Sequence, residues 1–336
     1  MLLGMIDGKK NGELQLIRRI RSSAGSRNGA VRVGIGDDCA VLRVPAGCEM
    51  IVTTDFSLEG RHFRRDWHTA QSAGHRCLAR GLSDVAAMGG RPLAAFLSIA
   101  LPKGFDINWL DGFMEGFNAL AAEHGVELAG GDTAEARGEE ILADVMVIGA
   151  VPEGRALLRS GGVHFGIYVT GTLGGSAVEL EEMKAGCTRR IRGVDACPQS
   201  FPEPRVEVGR ELMRRTIETK HGKKHIGFAA SCIDLSDGLS TDLRHICEAN
   251  GCGADIWEAA LPIALGATLE QALHGGEDYE LLFTGEDGKE QLPTEIAGVK
   301  VTRIGNMTGK ESGIRMLTKD TEWVDLPRGG WEHFRG

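Results

Sequence analysis

Eight cysteines occur, at 39, 48, 77, 187, 197, 232, 247 and 252, and no two of them form a Cys-x-x-Cys pair. That absence argues against a zinc ribbon or a thioredoxin-like redox site. Most of these cysteines lie inside apolar runs, where the side chain acts as a small hydrophobe, and a reducing, cytoplasmic setting is the expectation. Long apolar runs are also missing. The longest, 93–101 and 145–151, fall well short of the ~20 residues that a membrane-spanning helix needs. The apolar start at 1–6 is too short for a secretory core and is interrupted by Asp7. Positive charge is in deficit, with 38 Lys and Arg against 47 Asp and Glu and a net charge of −9. A large nucleic-acid footprint is therefore not expected. Two nucleotide signatures are absent as well: neither Gly-x-x-x-x-Gly-Lys-[Ser/Thr] nor the protein-kinase set occurs.

What is present reads as a soluble α/β chain. With 336 residues, 42% hydrophobic and 25% charged, two domains are expected. Helical spacing appears over 13–20, 71–88 and 109–124, and strand-like runs over 50–54, 93–101, 126–129 and 141–151. Beyond a boundary at 152–162, strands are expected over 166–170, 229–233 and 279–283, with helices starting near Val206 and after Gly238. Strands and helices alternate in both halves, so the class is α/β or α+β, with domains at 1–151 and 152–336. The Gly171-Thr-Leu-Gly-Gly-Ser176 turn fits a strand-to-helix connection better than an anion-binding loop.

The chain returns repeatedly to one device, an apolar run that leads into an acid. It does so at Asp37 and Asp38 after Val33-Gly-Ile-Gly, at Asp55, at Asp132 and at Asp234. Each occurrence alone is compatible with an Asp-rich turn; four together suggest one site at strand ends. Asp84 joins them from the 71–88 helix, on a face shared with Cys77, Gly81 and Met88. The other reading is that Ser83 or Asp84 caps a short second helix. Two unit charges about 4 Å apart repel by roughly 4 kcal/mol at an effective dielectric near 20. A cluster of Asp38, Asp55, Asp84, Asp132, Asp234 and Asp237 thus calls for cations between its members. Oxygen-only donors favour hard ions, Mg²⁺ above all where phosphates share the site. Phosphoryl transfer suits such an arrangement, because its catalysis is mostly positioning and charge neutralisation.

Seven segments carry a family resemblance: Gly34-Ile-Gly-Asp-Asp-Cys-Ala-Val41, Thr53-Thr-Asp55, Gly60-Arg-His-Phe63, Leu82-Ser-Asp-Val-Ala-Ala-Met-Gly89, Gly130-Gly-Asp-Thr133, Ile233-Asp-Leu-Ser-Asp-Gly-Leu239 and Gly275-Gly-Glu-Asp-Tyr-Glu-Leu281. In these, and in their order, the chain resembles the thiamine-monophosphate kinases. The resemblance implies a two-domain fold of the aminoimidazole-ribonucleotide-synthetase type, whose N-terminal domains pair in a homodimer. It implies ATP-dependent conversion of thiamine monophosphate to thiamine diphosphate. It also implies that Asp38, Thr53, Thr54, Asp55, Asp84, Asp132, Asp234 and Asp237 hold Mg²⁺. Gly131, Asp132, Arg159 and Ser236 would contact ATP, and His62, Glu277 and Trp331 would face the thiamine phosphate. The chain departs from the family pattern at Phe201-Pro-Glu-Pro-Arg205, at a shortened 161–166, and in a basic 184–196 stretch with Arg189, Arg190 and Arg192.

The implied acceptor fits the absence of any base-orienter pair. A phosphate monoester is largely dianionic at neutral pH and is already nucleophilic, so no general base is needed. Rival readings are another enzyme of the same superfamily, acting on an amide, a hydrogenase-maturation substrate or selenide, and a catalytically silent nucleotide-binding protein. A selenide enzyme would be expected to carry a reactive Cys or selenocysteine in an N-terminal loop, and no cysteine precedes Cys39.

Overall fold

A four-stranded and an eight-stranded sheet organise the chain, seen in a computed structural model that describes residues 13–25, 28–160, 166–187, 197–213, 216–219, 222–225, 229–285 and 293–330. The first half runs α1 (Glu13–Ser23), β1 (Val31–Val33), β2 (Val41–Leu42), β3 (Cys48–Leu58), α2 (Ala70–Ala87), β4 (Arg91–Leu101), α3 (Ile107–Glu123), β5 (Glu127–Glu135) and β6 (Leu142–Pro152). Strand order in its main sheet is β3-β6-β4-β5. All neighbours are antiparallel except β4 and β5, which α3 connects as a crossover. The side chains of β3 alternate as a pleated strand requires: Thr53 and Asp55 lie on the α2 side, while Met50, Val52, Thr54 and Phe56 face outward.

The helix α2 begins at the cap Thr69, whose hydroxyl accepts from the Ser72 N–H at 3.1 Å. Small residues let it pack closely. A Cβ on Gly74 would sit 1.8 Å from the Phe113 carbonyl oxygen, and one on Gly116 would sit 1.9 Å from that of Gln71. The α2 and α3 backbones therefore touch. The apolar stripe of Leu78, Leu82 and Val85 on α2 is buried, and so is nearly the whole circumference of the helix. It lies between the four-stranded sheet and the second half of the chain.

That half runs β7 (Gly166–Thr170), α4 (Gly175–Lys184), α5 (Val206–Met213), β8 (Thr216–Thr219), β9 (Gly222–His225), β10 (Ser231–Asp234), α6 (Leu239–Asn250), β11 (Gly253–Trp257), α7 (Leu269–His274), β12 (Leu281–Gly285), β13 (Glu295–Ile296), β14 (Val299–Thr308), β15 (Ile314–Leu317) and β16 (Trp323–Asp325). Its large sheet has the order β10-β12-β7-β14-β11-β15-β16, with β13 on β14. One face gives Tyr168, Cys232, Leu281 and Phe283 to the core that α2 and the first sheet share. The other gives Ile167, Val169, Ile233 and Leu282 to a second core with Leu243 and Ile246 of α6. Strand parity thus joins the two halves, and it brings the end of β10 to α2.

Several expectations need correction. The 71–88 helix is one element with Asp84 in its last turns, so neither Ser83 nor Asp84 caps a second helix. The strand expected over 126–129 continues to Glu135, and the one expected over 50–54 continues to Leu58. Asp132 and Asp55 are therefore mid-strand, and only Asp234 closes its strand. Extended pairing leaves those acids within their strands because each strand has a partner beyond the acid, β4 for Asp132 and β6 for Asp55. Cys77, Cys197, Cys232, Cys247 and Cys252 are buried and unbridged, as small hydrophobes would be. Among the described residues, no helix is long and apolar enough to cross a membrane.

Candidate active site

Three acids meet where α2 touches both halves, Asp234 buried and Asp55 and Asp84 half-buried. Asp84 accepts a short hydrogen bond from the Thr53 hydroxyl of β3. One residue earlier on α2, Ser83 donates to Asp234 at the end of β10, at 2.7 Å. Asp55, two residues along β3 from Thr53, lies 3.3 Å from an Arg80 nitrogen. Burial pushes Asp55 up to about 6 against the pull of Arg80, and Asp84 adds to the rise. Burial and then the Asp84 charge push Asp234 up to about 7, with Ser83 and Arg159 opposing. Asp84 is raised by burial too, although Thr53, Arg80 and Arg159 resist. Carboxylates that hold protons this firmly have too little positive charge around them. Their hard oxygen donors fit a divalent ion such as Mg²⁺.

A second group adjoins the first. Glu277 and Tyr279 both take left-handed backbone angles, φ 63° and 50°, a strained arrangement for non-glycine residues. The Glu277 N–H donates to the Ser236 carbonyl at 2.8 Å, and the Tyr279 N–H to that of Leu235 at 2.9 Å. These bonds fix the Glu277 loop against the Asp234–Gly238 loop. The Glu277 carboxylate accepts from Arg76 at 2.7 Å and closely from Gln199. Burial would raise its pKa, but the Arg76 and Arg80 charges overcome it and leave the group below its ordinary value. Arg76, almost fully enclosed, also donates to the His62 carbonyl at 2.8 Å. His62 and Glu277 are thus gathered around one arginine, and the His62 charge is felt at Glu277.

The remaining residues named from the sequence lie elsewhere. Asp38 sits in an exposed loop, where its N–H donates to Asp37 at 2.9 Å. Thr54 projects from the opposite face of β3 to Thr53 and donates to Asp144 at 2.7 Å. On that outward face Phe56, Asp144, Ser98 and Asp132 form one row across the sheet. Gly131, at φ 145°, could carry no side chain, since a Cβ would sit 1.8 Å from the Leu97 carbonyl oxygen. Trp331 lies outside the described residues, as do Arg189, Arg190 and Arg192. The chain leading to Trp331 passes close to the site, however. A Cβ on Gly330 would lie 2.4 Å from the Asp237 carbonyl oxygen.

Some residues in and around the site carry no strong sequence signal. Asp144 is one polar position in the apolar 141–151 run, and strand parity opposite Phe56 is the clue to it. Asp242 follows Asp237 by five residues in the first turn of α6 and accepts from the Asp237 and Gly238 N–H groups at 3.2 and 3.1 Å. Ligand atoms of Asp237, Asp242 and His245 all lie within 4.8 Å of one another. Arg76 and Arg80 are two cations of the site, and their presence on a largely buried helix is their main mark in the sequence.

Comparison with known proteins gives the family of the chain. Residues 36–151 match the family described as AIR synthase related protein, N-terminal domain. The chain is 37% identical over 335 residues to the thiamine-monophosphate kinase of Salmonella typhimurium, across 96% of this chain and 98% of that protein. The crystal structure of thiamine-monophosphate kinase from Stenotrophomonas maltophilia is 32% identical with a TM-score of 0.76, over 93% of this chain and 97% of that one. AaThiL complexed with AMPPCP and TMP is 26% identical with a TM-score of 0.72, over 98% and 99%.

Proposed function

The chain belongs to the thiamine-monophosphate kinase family, and we propose from that membership and from its clustered acids how it works. It is a kinase with an aminoimidazole-ribonucleotide-synthetase-like fold, and it phosphorylates thiamine monophosphate with ATP to give thiamine diphosphate. The observation that carries the mechanism is the meeting of Asp55 and Asp84 with Asp234 across the two halves. We assign Mg²⁺ to these carboxylates, with Asp237 beside them and Asp38 and Asp132 as further candidates. The ion would neutralise charge on the transferred phosphoryl group. Arg159, whose charge reaches Asp84 and Asp234, would contact the nucleotide together with Ser236. His62, Glu277 and Trp331 would face the acceptor.

The acceptor's own phosphate oxygen attacks, so the protein need only hold the two phosphates in line and exclude water. We place the division between domains at residues 151 and 152, where the family match ends. The free cysteines suit a reducing cytoplasm. Purified protein given ATP, Mg²⁺ and thiamine monophosphate should form thiamine diphosphate and ADP in equal amounts. ADP without thiamine diphosphate would reject the acceptor.

A homodimer is part of the proposal. Met50, Val52, Phe56, Leu142 and Met146 are exposed together on the outward face of the four-stranded sheet, and such a patch marks an interface. A second copy would cover it and would bring Thr54, Asp132 and Asp144 into the contact. Phe56→Glu should therefore turn a dimer into a monomer in analytical ultracentrifugation. A dimer that persists in Phe56→Glu would place the interface elsewhere.

A further inference from the structure

Arg80 is an unexpected charge at the centre of an acid site. It stands on α2 one turn before Asp84, and its side chain is 15% exposed. One terminal nitrogen donates to the Tyr279 hydroxyl at 2.9 Å and lies 3.3 Å from Glu277. The other lies 3.3 Å from Asp55. Its Nε is buried with no hydrogen-bond partner. Glu277 has other support, because Arg76 and Gln199 hold the same carboxylate and Arg76 acts on it more strongly than Arg80. Asp55 is different, since Arg80 is the cation that acts on it most strongly. The Arg80 charge also acts on Asp84.

We propose that Arg80 is a positioning residue that sets the metal affinity of the acid cluster by occupying one flank of Asp55. This rests on the reading of Asp55, Asp84 and Asp234 as metal ligands. A guanidinium at 3.3 Å already satisfies part of the Asp55 carboxylate, so a divalent ion approaching the same group meets repulsion. The bare site therefore binds metal weakly. A nucleotide triphosphate adds negative charge and tips the balance, so metal and nucleotide enter together. The site is thereby kept from filling with metal before its substrate arrives.

The test is Mn²⁺ binding, followed by the electron paramagnetic resonance signal of the free ion at pH 8.5 without nucleotide. Arg80→Met should bind Mn²⁺ about tenfold more tightly than the natural chain, and Arg80→Lys, which keeps the charge, should match the natural chain. A merely structural role for Arg80 would not raise affinity. Arg80→Gln serves as a second neutral variant. Unchanged or weaker binding in either folded neutral variant overturns the proposal, and so does failure of both to fold. If the natural chain binds no Mn²⁺ even with AMPPCP, the metal reading itself fails. Mn²⁺ binding to the natural chain with AMPPCP, but no gain in the neutral variants, removes Arg80 alone.

Discussion

Asp84→Asn should retain its fold and lose at least about two orders of magnitude in turnover, the scale of removing one main electrostatic contact to the transition state. The asparagine oxygen can still accept from Thr53, so the α2–β3 contact survives. The charge does not. Asp84 raises the pKa of both Asp55 and Asp234, so its loss relieves repulsion between buried carboxylates. The melting temperature of the metal-free variant should therefore equal or exceed that of the natural chain. Steady-state kinetics and a melting curve on one preparation check both halves of this expectation. Near-normal turnover would remove Asp84 from the metal site. A large drop in melting temperature would make it a structural residue instead.

The opposite responses expected of activity and stability reflect how the site is built. Its acids are crowded into the seam between two sheets, and metal-free folding bears their repulsion. Arg80 and Arg159 offset some of that cost. Arg76 does the same for Glu277, holding a half-buried carboxylate below its ordinary pKa. Preorganisation of this kind is what phosphoryl transfer needs, because little covalent chemistry is left for the protein to perform.

Much of this was legible in the residues, for identifiable reasons. Asp84 stands out because an acid among Cys77, Gly81 and Met88 on a helix permits close approach. Asp234 stands out because β10 ends there. The helices α1, α2 and α3 announced themselves through spacing, and the end of α2 through Gly89 and Gly90, whereas α7 was not expected. The idea of strand-end acids failed at Asp55 and Asp132 because pairing partners extend those strands, which is a tertiary effect. Parity would have separated Thr54 from Thr53 and Asp55, since successive side chains of a strand point to opposite faces. The position of α2 between the sheets had no such mark. In a helix buried nearly all round, the stripe of Leu78, Leu82 and Val85 accounts for one side only, and so the contacts of Arg76 and Arg80 emerged only between residues about 200 positions apart.

The most direct measurement is thermal unfolding across pH, with EDTA and with Mg²⁺ plus AMPPCP. Asp55 and Asp234 titrate near 6 and 7 in the fold, against about 3.9 when unfolded. A folded pKa above the unfolded one means that the native state binds the proton more tightly. The stability these groups contribute is thus complete below about pH 4 and is lost as pH rises through 6 and 7. In EDTA, the protein should lose on the order of a few kcal/mol between pH 5.5 and pH 8 from this source, because each tenfold difference in proton affinity is worth about 1.4 kcal/mol. Mg²⁺ and AMPPCP should restore it, because metal replaces the missing protons. Ligand at about a hundred times its dissociation constant would add roughly 2.7 kcal/mol. The stabilisation should be larger at pH 8 than at pH 5.5, where protons compete with the ion. The account predicts two curves that separate as pH rises. Coincident curves at pH 8, in EDTA and in Mg²⁺ with AMPPCP, would contradict a shared metal site at Asp55, Asp84 and Asp234.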